Sequence, residues 1–290
     1  AYRHFPAAIP LTELWAAEDR RALFLYLHVP FCEMRCGFCN LFTTANPNQN
    51  YVTRYLDAIE RNIEAVGSAL GTHCFARGAI GGGTPTFLSV TELDRIFAAS
   101  RRCLTIPDGM LLSCELSPAT AEPEKILYLR EQGVTRVSIG VQSFLEAETK
   151  ALGRAQKAAT LHAALKRMRD ADFPVMNVDL IYGAAGQTAA TWRESLTAAI
   201  SYAPEEIFLY PLYVRPLTGL DRLGRDPSDI RLELYRAGRE CLLGRGYRQV
   251  SQRLFRHESC PGGSGAEYCC QEDGMAGIGP GARSYTREVH

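Results

Sequence analysis

The sequence predicts an α/β fold built on a parallel sheet, and three observations lead to this prediction. Short apolar runs rich in β-branched residues alternate along the chain with longer segments of helical period. Six such strand–helix units follow one another, which predicts parallel strands joined by right-handed crossovers. Several polar residues stand at or near the ends of these strands, where barrel-like parallel sheets place their active sites. The pattern alone leaves an open doubly wound sheet possible, and the polar strand ends favour a barrel-like sheet.

The predicted strands are short apolar runs bounded by polar or turn-forming residues. Their separation by whole helices argues against an all-β fold made of hairpins. We expect strands at Leu23–His28, Phe75–Ile80, Met110–Glu115, Arg136–Val141, Val175–Tyr182 and Glu206–Val214.

The predicted helices are the longer segments between these strands. In the first of them, Tyr55, Ile59 and Ile63 recur every four residues, which indicates one buried face. Thr91 is suited to cap the second helix, and Pro123 is suited to the first turn of the third. We expect helices at Tyr51–Ala69, Thr91–Cys103, Glu122–Gln132, Leu145–Leu152, Ala158–Asp170 and Thr188–Ser201.

After Val214 the alternating pattern loosens. We expect a connector at Pro216–Gly219 and Gly224–Pro227, a helix at Asp229–Leu243 and a strand at Tyr247–Gln252. Glycine-rich loops are expected at Cys260–Gly265 and Gly274–Arg283. We therefore predict three parts: an N-terminal extension at residues 1–22, a partial barrel at residues 23–215, and a C-terminal subdomain at residues 216–290 that covers the barrel mouth.

The composition sets limits on the class of protein. With 290 residues, of which 46% are hydrophobic, the chain is long enough to bury a large core. The 32 basic and 32 acidic residues cancel, so nothing in the composition indicates binding to nucleic acid or to an anionic membrane surface. No stretch approaches the roughly 20 apolar residues of a membrane span, and the first residues lack a signal-peptide pattern. Ten cysteines without disulfide spacing favour a cytoplasmic location, and the lack of an initial Met predicts a trimmed sequence.

Three cysteines, Cys32, Cys36 and Cys39, lie within eight residues just after the first predicted strand. Their spacing is C-x3-C-x2-C, and the polar residues between them indicate a loop. Three thiolates hold a cubane iron–sulfur cluster by three of its four irons and leave the fourth open to an added ligand, whereas most ferredoxin clusters take four cysteines. The spacing therefore predicts a cluster that binds a ligand.

Other uses of these three cysteines are less favoured. A zinc site would be expected to show a second pair of ligands, and the later pair Cys269 and Cys270 is adjacent, so its thiols cannot easily face one metal. A disulfide framework would need an oxidising compartment, and a chain of this size does not need one to fold. Cysteines that stand among apolar residues are interpreted as structural, namely Cys74, Cys103, Cys114 and Cys241.

A glycine-rich segment follows the second predicted strand. It contains Gly81, Gly82, Gly83 and Thr84, and glycine lets the backbone approach a ligand closely because no Cβ intervenes. The segment lacks the Lys-Ser/Thr of a nucleotide phosphate loop, and glycine-rich turns are common at strand ends.

Four more polar residues stand near strand ends, which is consistent with a single site: Glu115, Gln142, Arg154 and Asp179. For each of them alone, a helix cap or a surface ion pair is the simpler explanation. Asp179 is different, because it lies among Val178, Leu180 and Ile181 and an acid there must be paired or bound to a ligand.

Together these motifs resemble the radical S-adenosylmethionine (SAM) superfamily, and in particular the branch of the oxygen-independent coproporphyrinogen III oxidases. This branch includes haem chaperones and class C radical SAM methyltransferases. The resemblance spans about residues 23–201, with a weaker match at residues 277–282. It implies a partial (β/α)6 barrel of the TIM type with a small C-terminal appendage, a [4Fe-4S] cluster, and SAM bound to that cluster with a second SAM molecule possible.

The resemblance also implies roles for individual residues. Cys32, Cys36 and Cys39 would hold the cluster. Gly81, Gly82, Gly83 and Thr84 match the segment that contacts the methionine amino group of SAM. The methionine and ribose parts of SAM would be held by Glu115, Gln142, Arg154 and Asp179. Tyr26 would lie against the cluster-bound SAM, and His28 would do likewise or pack in the core.

The chain departs from the known members of this branch at several places. The true oxidases place another cysteine shortly after the third ligand, where this chain has Asn40. Haem chaperones carry a His-Asn pair near the final glycine motif, and the matching stretch at residues 266–271 has no histidine. The segment at residues 209–219 also differs, and we interpret Tyr210, Tyr213 and Arg215 as lining a different substrate cavity or, for the tyrosines, a sixth strand.

Three functional hypotheses follow from the resemblance. The first is class C methylation or cyclopropanation of a small organic substrate. The second is the oxidative decarboxylation of coproporphyrinogen III, and the third is a haem-binding chaperone. The partners expected are a small-molecule substrate and an external one-electron donor such as flavodoxin or ferredoxin, and we expect neither nucleic acid nor membrane as a partner.

Overall fold

The computed structural model describes residues 9–224, 229–261 and 273–287. The strands are β1 (Leu23–Val29), β2 (Phe31–Cys32), β3 (Thr44–Ala45), β4 (Phe75–Gly82), β5 (Leu111–Leu116), β6 (Arg136–Gln142), β7 (Val175–Tyr182), β8 (Glu206–Pro211), β9 (Tyr247–Gln249), β10 (Leu254–His257) and β11 (Met275–Ile278). The α-helices are α1 (Leu11–Leu14), α2 (Gln49–Leu70), α3 (Val90–Cys103), α4 (Pro123–Glu131), α5 (Glu146–Ala151), α6 (Ala158–Asp170), α7 (Ala189–Ile200), α8 (Gly219–Arg222) and α9 (Arg231–Leu243), and a 3-10 helix spans Pro85–Phe87.

The main sheet has nine strands in the order β11-β1-β4-β5-β6-β7-β8-β10-β9. Neighbouring strands from β11 to β8 are parallel, and β8, β10 and β9 are antiparallel. Within the described residues β11 and β9 are the two edges, so the sheet is a partial barrel. The predicted α/β fold with a partial barrel is confirmed.

The two faces of the sheet differ in character, and this difference positions the site. Side chains on the outer face, such as Val137, Ile139 and Val178, are fully buried in the core with the helices. Because side chains alternate between the two faces of a strand, the intervening residues Ser138 and Asp179 face the inside of the barrel, where they line cavities. The interior of this barrel is therefore polar, while its apolar core lies between the sheet and the helices.

The predicted helices and the six long strands are all present, with ends that shift by at most three residues. The predicted cap of α3 is wrong. Ser89, not Thr91, caps this helix: the Ser89 hydroxyl accepts a hydrogen bond from the Glu92 N–H, and the Glu92 side chain accepts one from the Ser89 N–H. This reciprocal capping box satisfies two backbone donors at once, so the helix begins at Val90, one residue earlier than predicted.

Residues after 216 contribute to both edges of the main sheet. β11 lies parallel to β1, and β10 lies antiparallel to β8. Neither short strand was predicted, because four residues such as Met275–Ile278, flanked by glycines, carry too little periodic signal. The division of the chain at residue 216 and the covering of the mouth remain predictions, and most of the predicted loop at Cys260–Gly265 lies outside the described residues. No helix in the described part of the chain combines the length and apolar character needed to cross a membrane.

Candidate active site

The three-cysteine loop connects β2 to β3 and is fixed by backbone contacts on both sides. β2 and β3 pair at its base, where the Asn46 N–H donates to the Cys32 carbonyl over 2.8 Å. In the middle of the loop, Gly37 donates to the Gly153 carbonyl and accepts from the Leu220 N–H. A Cβ at Gly37 would lie 2.8 Å from the Leu152 carbonyl oxygen. Glycine is therefore required there, because the loop packs directly on two neighbouring backbones.

The thiols of Cys32, Cys36 and Cys39 line one cavity of about 200 Å³. Burial raises the pKa of the Cys32 thiol to about 11, and the Thr84 hydroxyl, which donates to its sulfur over 3.7 Å, opposes this. Burial also raises the pKa of Cys36, and the Arg154 guanidinium opposes it by donating a hydrogen bond to the Cys36 sulfur over 3.5 Å. A hydroxyl and a cation thus favour the thiolate form at two of the three sulfurs.

The glycine segment ends β4 between the side chains of its two neighbouring strands. A Cβ at Gly81 would lie 2.7 Å from the Glu115 carboxyl of β5, and a Cβ at Gly82 would lie 2.4 Å from the His28 ring of β1. Gly82 also has a φ of +105°, a conformation that side chains disfavour. Its N–H donates to the Glu115 carboxylate over 3.0 Å. The Gly82 backbone therefore lies against a carboxylate of the protein itself, and the predicted close approach of this segment to a ligand stays a prediction.

Glu115 and Asp179 place two carboxyl groups on the inner face of the sheet. Burial raises the pKa of Glu115 to about 7; the hydrogen bond from Gly82 opposes this shift and the charge of Asp179 adds to it. Burial also raises the pKa of Asp179, although its carboxylate accepts hydrogen bonds from the Asn177 amide and the Ser138 hydroxyl. The Glu115 side chain is enclosed by protein yet keeps accessible surface, because it faces two cavities. Asp179 lies inside β7 and not at its end.

Gln142 and Arg154 complete the lining of the thiol cavity. Gln142 ends β6 at an irregularity in the pairing with β7 and has a φ of +68°. Arg154 follows the turn after α5, and its guanidinium donates to the Gly140 carbonyl over 2.8 Å in addition to the Cys36 sulfur. The structure thus brings the predicted polar residues from β4, β5, β6, β7 and the α5 turn around the three thiols.

Tyr26 and His28 lie next to this cavity but do not line it in the described structure. His28 is only 3% exposed, and its Nε2 lies 2.9 Å from the Phe42 carbonyl oxygen. A carbonyl can only accept, so Nε2 carries the proton and Nδ1 can accept the hydrogen bond from the Tyr26 hydroxyl, 3.3 Å away. Burial lowers the pKa of His28, which favours this neutral form. His28 therefore anchors the cysteine loop through Phe42, and the placement of Tyr26 against SAM remains a prediction.

Comparison with known proteins identifies the family to which this site belongs. The profile of the radical SAM superfamily matches residues 26–199. The chain belongs to the radical SAM superfamily. The cofactors of this superfamily, a [4Fe-4S] cluster and SAM, are those predicted from the sequence.

This radical SAM chain is similar to two kinds of protein, heme chaperones and oxygen-independent coproporphyrinogen III oxidases. It is 31% identical over 236 residues to a heme chaperone HemW of Synechocystis sp., covering 77% of this chain and 56% of the relative. It is 29% identical over 263 residues to an oxygen-independent coproporphyrinogen III oxidase of the same organism, covering 85% of this chain and 56% of the relative. The chain thus spans little more than half the length of these two relatives. Coproporphyrinogen III oxidase (HemN) from Escherichia coli has the same fold, with a TM-score of 0.84 at 23% identity over 95% of this chain and 67% of that one.

The residues present fit the cluster of this radical SAM family. Three thiols face one cavity, and a guanidinium and a hydroxyl donate to two of the sulfurs. Across the described residues, no three His, Cys, Asp or Glu side chains are grouped tightly enough to bind a single metal ion. Cys74, Cys103, Cys114 and Cys241 lie outside this cavity, as expected of structural cysteines, and Cys269 and Cys270 lie outside the described residues.

Two functional candidates, Glu33 and Ser138, were not predicted from the sequence. Glu33 accepts a hydrogen bond from the Ser117 hydroxyl over 2.6 Å, while its other carboxylate oxygen is buried without a partner. Ser138 lines the cavity, and counting back in twos from Gln142 would have found it. Of the residues interpreted as lining a substrate cavity, Tyr210 lines the cavity of about 670 Å³ inside the barrel. Tyr213 lies beyond the end of β8 at Pro211, outside the predicted strand, and the Arg215 guanidinium stacks on its ring at 5.2 Å.

The raised pKa of Glu115 predicts a dependence of stability on pH. The usual pKa of a glutamate is 4.5, and that of Glu115 in the folded protein is about 7. Between these two pH values the folded protein keeps the proton on Glu115, whereas the unfolded chain has released it. Stability of the cluster-free protein should therefore fall as the pH rises through this window, and Glu115→Gln should show a smaller fall. Thermal unfolding at pH 4.5 and pH 7.5 measures both. Glu64→Gln, on the exposed side of α2, is the matched control and should follow the wild type; equal falls in all three proteins would contradict the prediction.

Proposed function

We propose that this chain binds SAM beside a [4Fe-4S] cluster and uses it for radical chemistry on an organic substrate. The observation that carries the proposal is that Cys32, Cys36 and Cys39 share one cavity with the glycine segment and with Glu115, Gln142, Arg154 and Asp179. Cys32, Cys36 and Cys39 would hold the cluster, which would supply the one-electron reduction that cleaves SAM to methionine and a 5′-deoxyadenosyl radical. The electron would come from an external donor such as flavodoxin or ferredoxin.

The residues of the chain have complementary tasks in this proposal. Cys32, Cys36 and Cys39 hold the metal centre as thiolates, which Thr84 and Arg154 favour by donating to two of the sulfurs. The glycine segment leaves its backbone free of Cβ atoms, so a ligand can approach it closely. The carboxylates of Glu115 and Asp179 accept hydrogen bonds and attract positive charge, as the amino group and sulfonium of SAM require. The enclosing barrel limits access of water to a reactive radical.

The second part of the proposal concerns the reaction that follows the cleavage of SAM. The names of the relatives favour an oxygen-independent coproporphyrinogen III oxidase or a heme chaperone. Two features of this chain count against those activities: Asn40 stands where the oxidases have a further cysteine, and the His-Asn pair of the chaperones has no counterpart. Class C methylation or cyclopropanation remains a hypothesis, and none of the relatives described above carries such a name.

One set of assays on anaerobically reconstituted protein tests the proposal. Wild type with SAM and dithionite should form 5′-deoxyadenosine, and its absence would contradict the proposed function. The outcome is then decided by product analysis. Loss of carbon dioxide from coproporphyrinogen III supports the oxidase, S-adenosylhomocysteine formed together with 5′-deoxyadenosine supports methyl transfer, and a Soret band on titration with haem supports the chaperone.

A further inference from the structure

Glu33 places a carboxylate inside the three-cysteine loop. It follows Cys32 in the sequence and lines the thiol cavity together with Cys32 and Cys36. One carboxylate oxygen accepts a hydrogen bond from the Ser117 hydroxyl over 2.6 Å, a length typical of a hydroxyl that donates to an ionised carboxylate. The other oxygen is buried without a partner, and Glu33 forms no ion pair within the described residues. Its negative charge is therefore left largely uncompensated.

Three buried hydroxyl groups hold this carboxylate in place. Ser117 gives its only proton to Glu33, and the proton of Thr120 is directed to Ser117, whose hydroxyl and carbonyl oxygens lie 3.1 Å and 3.4 Å from the Thr120 hydroxyl. The Thr86 hydroxyl lies 2.7 Å from that of Thr120 and is left to donate to it. Ser117 follows the end of β5, and Thr86 lies in the 3-10 helix after β4. The chain of hydroxyls thus ties the Glu33 side chain to the sheet.

Arg154 places a charge of the opposite sign at the same loop. Its guanidinium donates to the Cys36 sulfur over 3.5 Å. Burial is the main cause of the raised pKa of the Cys32 and Cys36 thiols. The charge of Glu33 raises the pKa of both thiols further, and the charge of Arg154 opposes the rise at Cys36. The two fixed charges therefore act in opposite directions on negative charge at the sulfurs.

The same two charges would act on an electron added to a cluster at these sulfurs. The reduction potential of an iron–sulfur cluster depends on the nearby charge and on the hydrogen bonds to its sulfurs. A carboxylate opposes added negative charge and lowers the potential, whereas a guanidinium favours it and raises the potential. Because Glu33 lies in the loop that would hold the cluster, its uncompensated charge would act at close range.

We propose that Glu33 lowers the reduction potential of the cluster held by Cys32, Cys36 and Cys39, in opposition to Arg154. Glu33 is thus a positioning residue that acts through the cluster and needs no contact with the substrate. A lower potential makes electron transfer to SAM more favourable. This benefit to the reaction rests on the proposed function, whereas the shift in potential does not.

A redox titration of anaerobically reconstituted protein without SAM, followed by electron paramagnetic resonance, measures this effect. Glu33→Gln removes the charge and keeps the shape of the side chain. It should raise the equilibrium constant of one-electron reduction about tenfold, which is a shift of about 59 mV to a more positive potential. Glu33→Asp keeps the charge and should lie closer to the wild type. Arg154→Gln should shift the potential in the opposite direction, and Glu64→Gln, on the exposed side of α2, should leave it unchanged.

The sign of the shift separates a charge effect from a general disturbance of the loop. The inference would be overturned by an unchanged or more negative potential in Glu33→Gln, by an equally large shift in Glu33→Asp, or by a shift of the same sign in Arg154→Gln. If Glu33→Gln assembles no cluster, Glu33→Ala takes its place. The lack of a cluster in both would also overturn the inference, because Glu33 would then hold the loop.

The same titration keeps this inference separate from the proposed function. A wild-type cluster that forms no 5′-deoxyadenosine with SAM and dithionite would contradict the proposed function, and the potentials would still decide the role of Glu33. Wild type that forms 5′-deoxyadenosine, with an unchanged potential in Glu33→Gln, would overturn the role of Glu33 alone.

Discussion

Replacing Cys36 by alanine should abolish both the iron–sulfur cluster and the formation of 5′-deoxyadenosine. The Cys36 thiol lines the cavity with Cys32 and Cys39 and accepts a hydrogen bond from Arg154. With only two thiols left, a cluster that needs three protein ligands is not held. Iron content and the visible absorption of the reconstituted protein should fall to background, and dithionite with SAM should then yield no 5′-deoxyadenosine. Formation of 5′-deoxyadenosine by this variant at the wild-type rate would refute the cluster assignment.

Cys241→Ala is the matched control for this loss. Cys241 lies in α9, packs against the main core and does not line the thiol cavity. The substitution removes one sulfur from a half-buried position, so we expect a modest loss of stability and an unchanged iron content. Loss of iron in both variants would point to a general effect on folding instead of a loss of ligation.

Gly82→Ala should have the second largest effect, because it introduces two costs at the same position. The new Cβ would lie 2.4 Å from the His28 ring, and that ring is held between the Tyr26 hydroxyl and the Phe42 carbonyl. The residue would also keep a φ of +105°. Strain and overpacking together should lower the free energy of unfolding by about 2–6 kcal/mol. Because His28 anchors the cysteine loop, the iron content should fall as well. Chemical denaturation and iron analysis measure the two effects.

Gly133→Ala separates the backbone strain from the clash. Gly133 has a φ of +81°, and a Cβ there would have nothing within 4 Å. This variant should lose about 1–3 kcal/mol from strain alone and keep its iron. If Gly82→Ala is no less stable than Gly133→Ala and retains its iron, then His28 does not hold the loop as the structure indicates.

Much of the site could be predicted because its signals are local in the sequence. The spacing of Cys32, Cys36 and Cys39 places three thiols on one short loop whatever the rest of the fold. The glycine segment and Asp179 also give local signals, because each of them interrupts the apolar pattern of its own strand. Their convergence follows from the alternation of strands and helices, because the inner face of a parallel barrel collects side chains from successive strands.

Other features could not be predicted, because they depend on contacts between distant parts of the chain. The sequence leaves His28 either facing SAM or packing in the core, and its orientation is decided by the carbonyl of Phe42, fourteen residues away. The placement of Tyr26 against SAM stays a prediction. The strands β10 and β11 are too short to be stable alone and exist because the edges of the sheet offer them backbone partners. These pairings attach residues 254–257 and 275–278 to the two sides of the barrel.

The sequence by itself determined the class of fold, the family and the three-cysteine loop of this protein, because periodicity and cysteine spacing are properties of neighbouring residues. The tertiary structure alone decided which side chains share a cavity, the raised pKa of Glu115 and the contact of His28 with the Phe42 carbonyl. It also decided that a larger cavity of about 670 Å³ adjoins the thiol cavity at Glu115, Ser138 and Asp179. Arg77 illustrates the difference. In the sequence it is one more basic residue in a strand, and only the folded sheet leaves its guanidinium donor buried, without a partner, beside an open space.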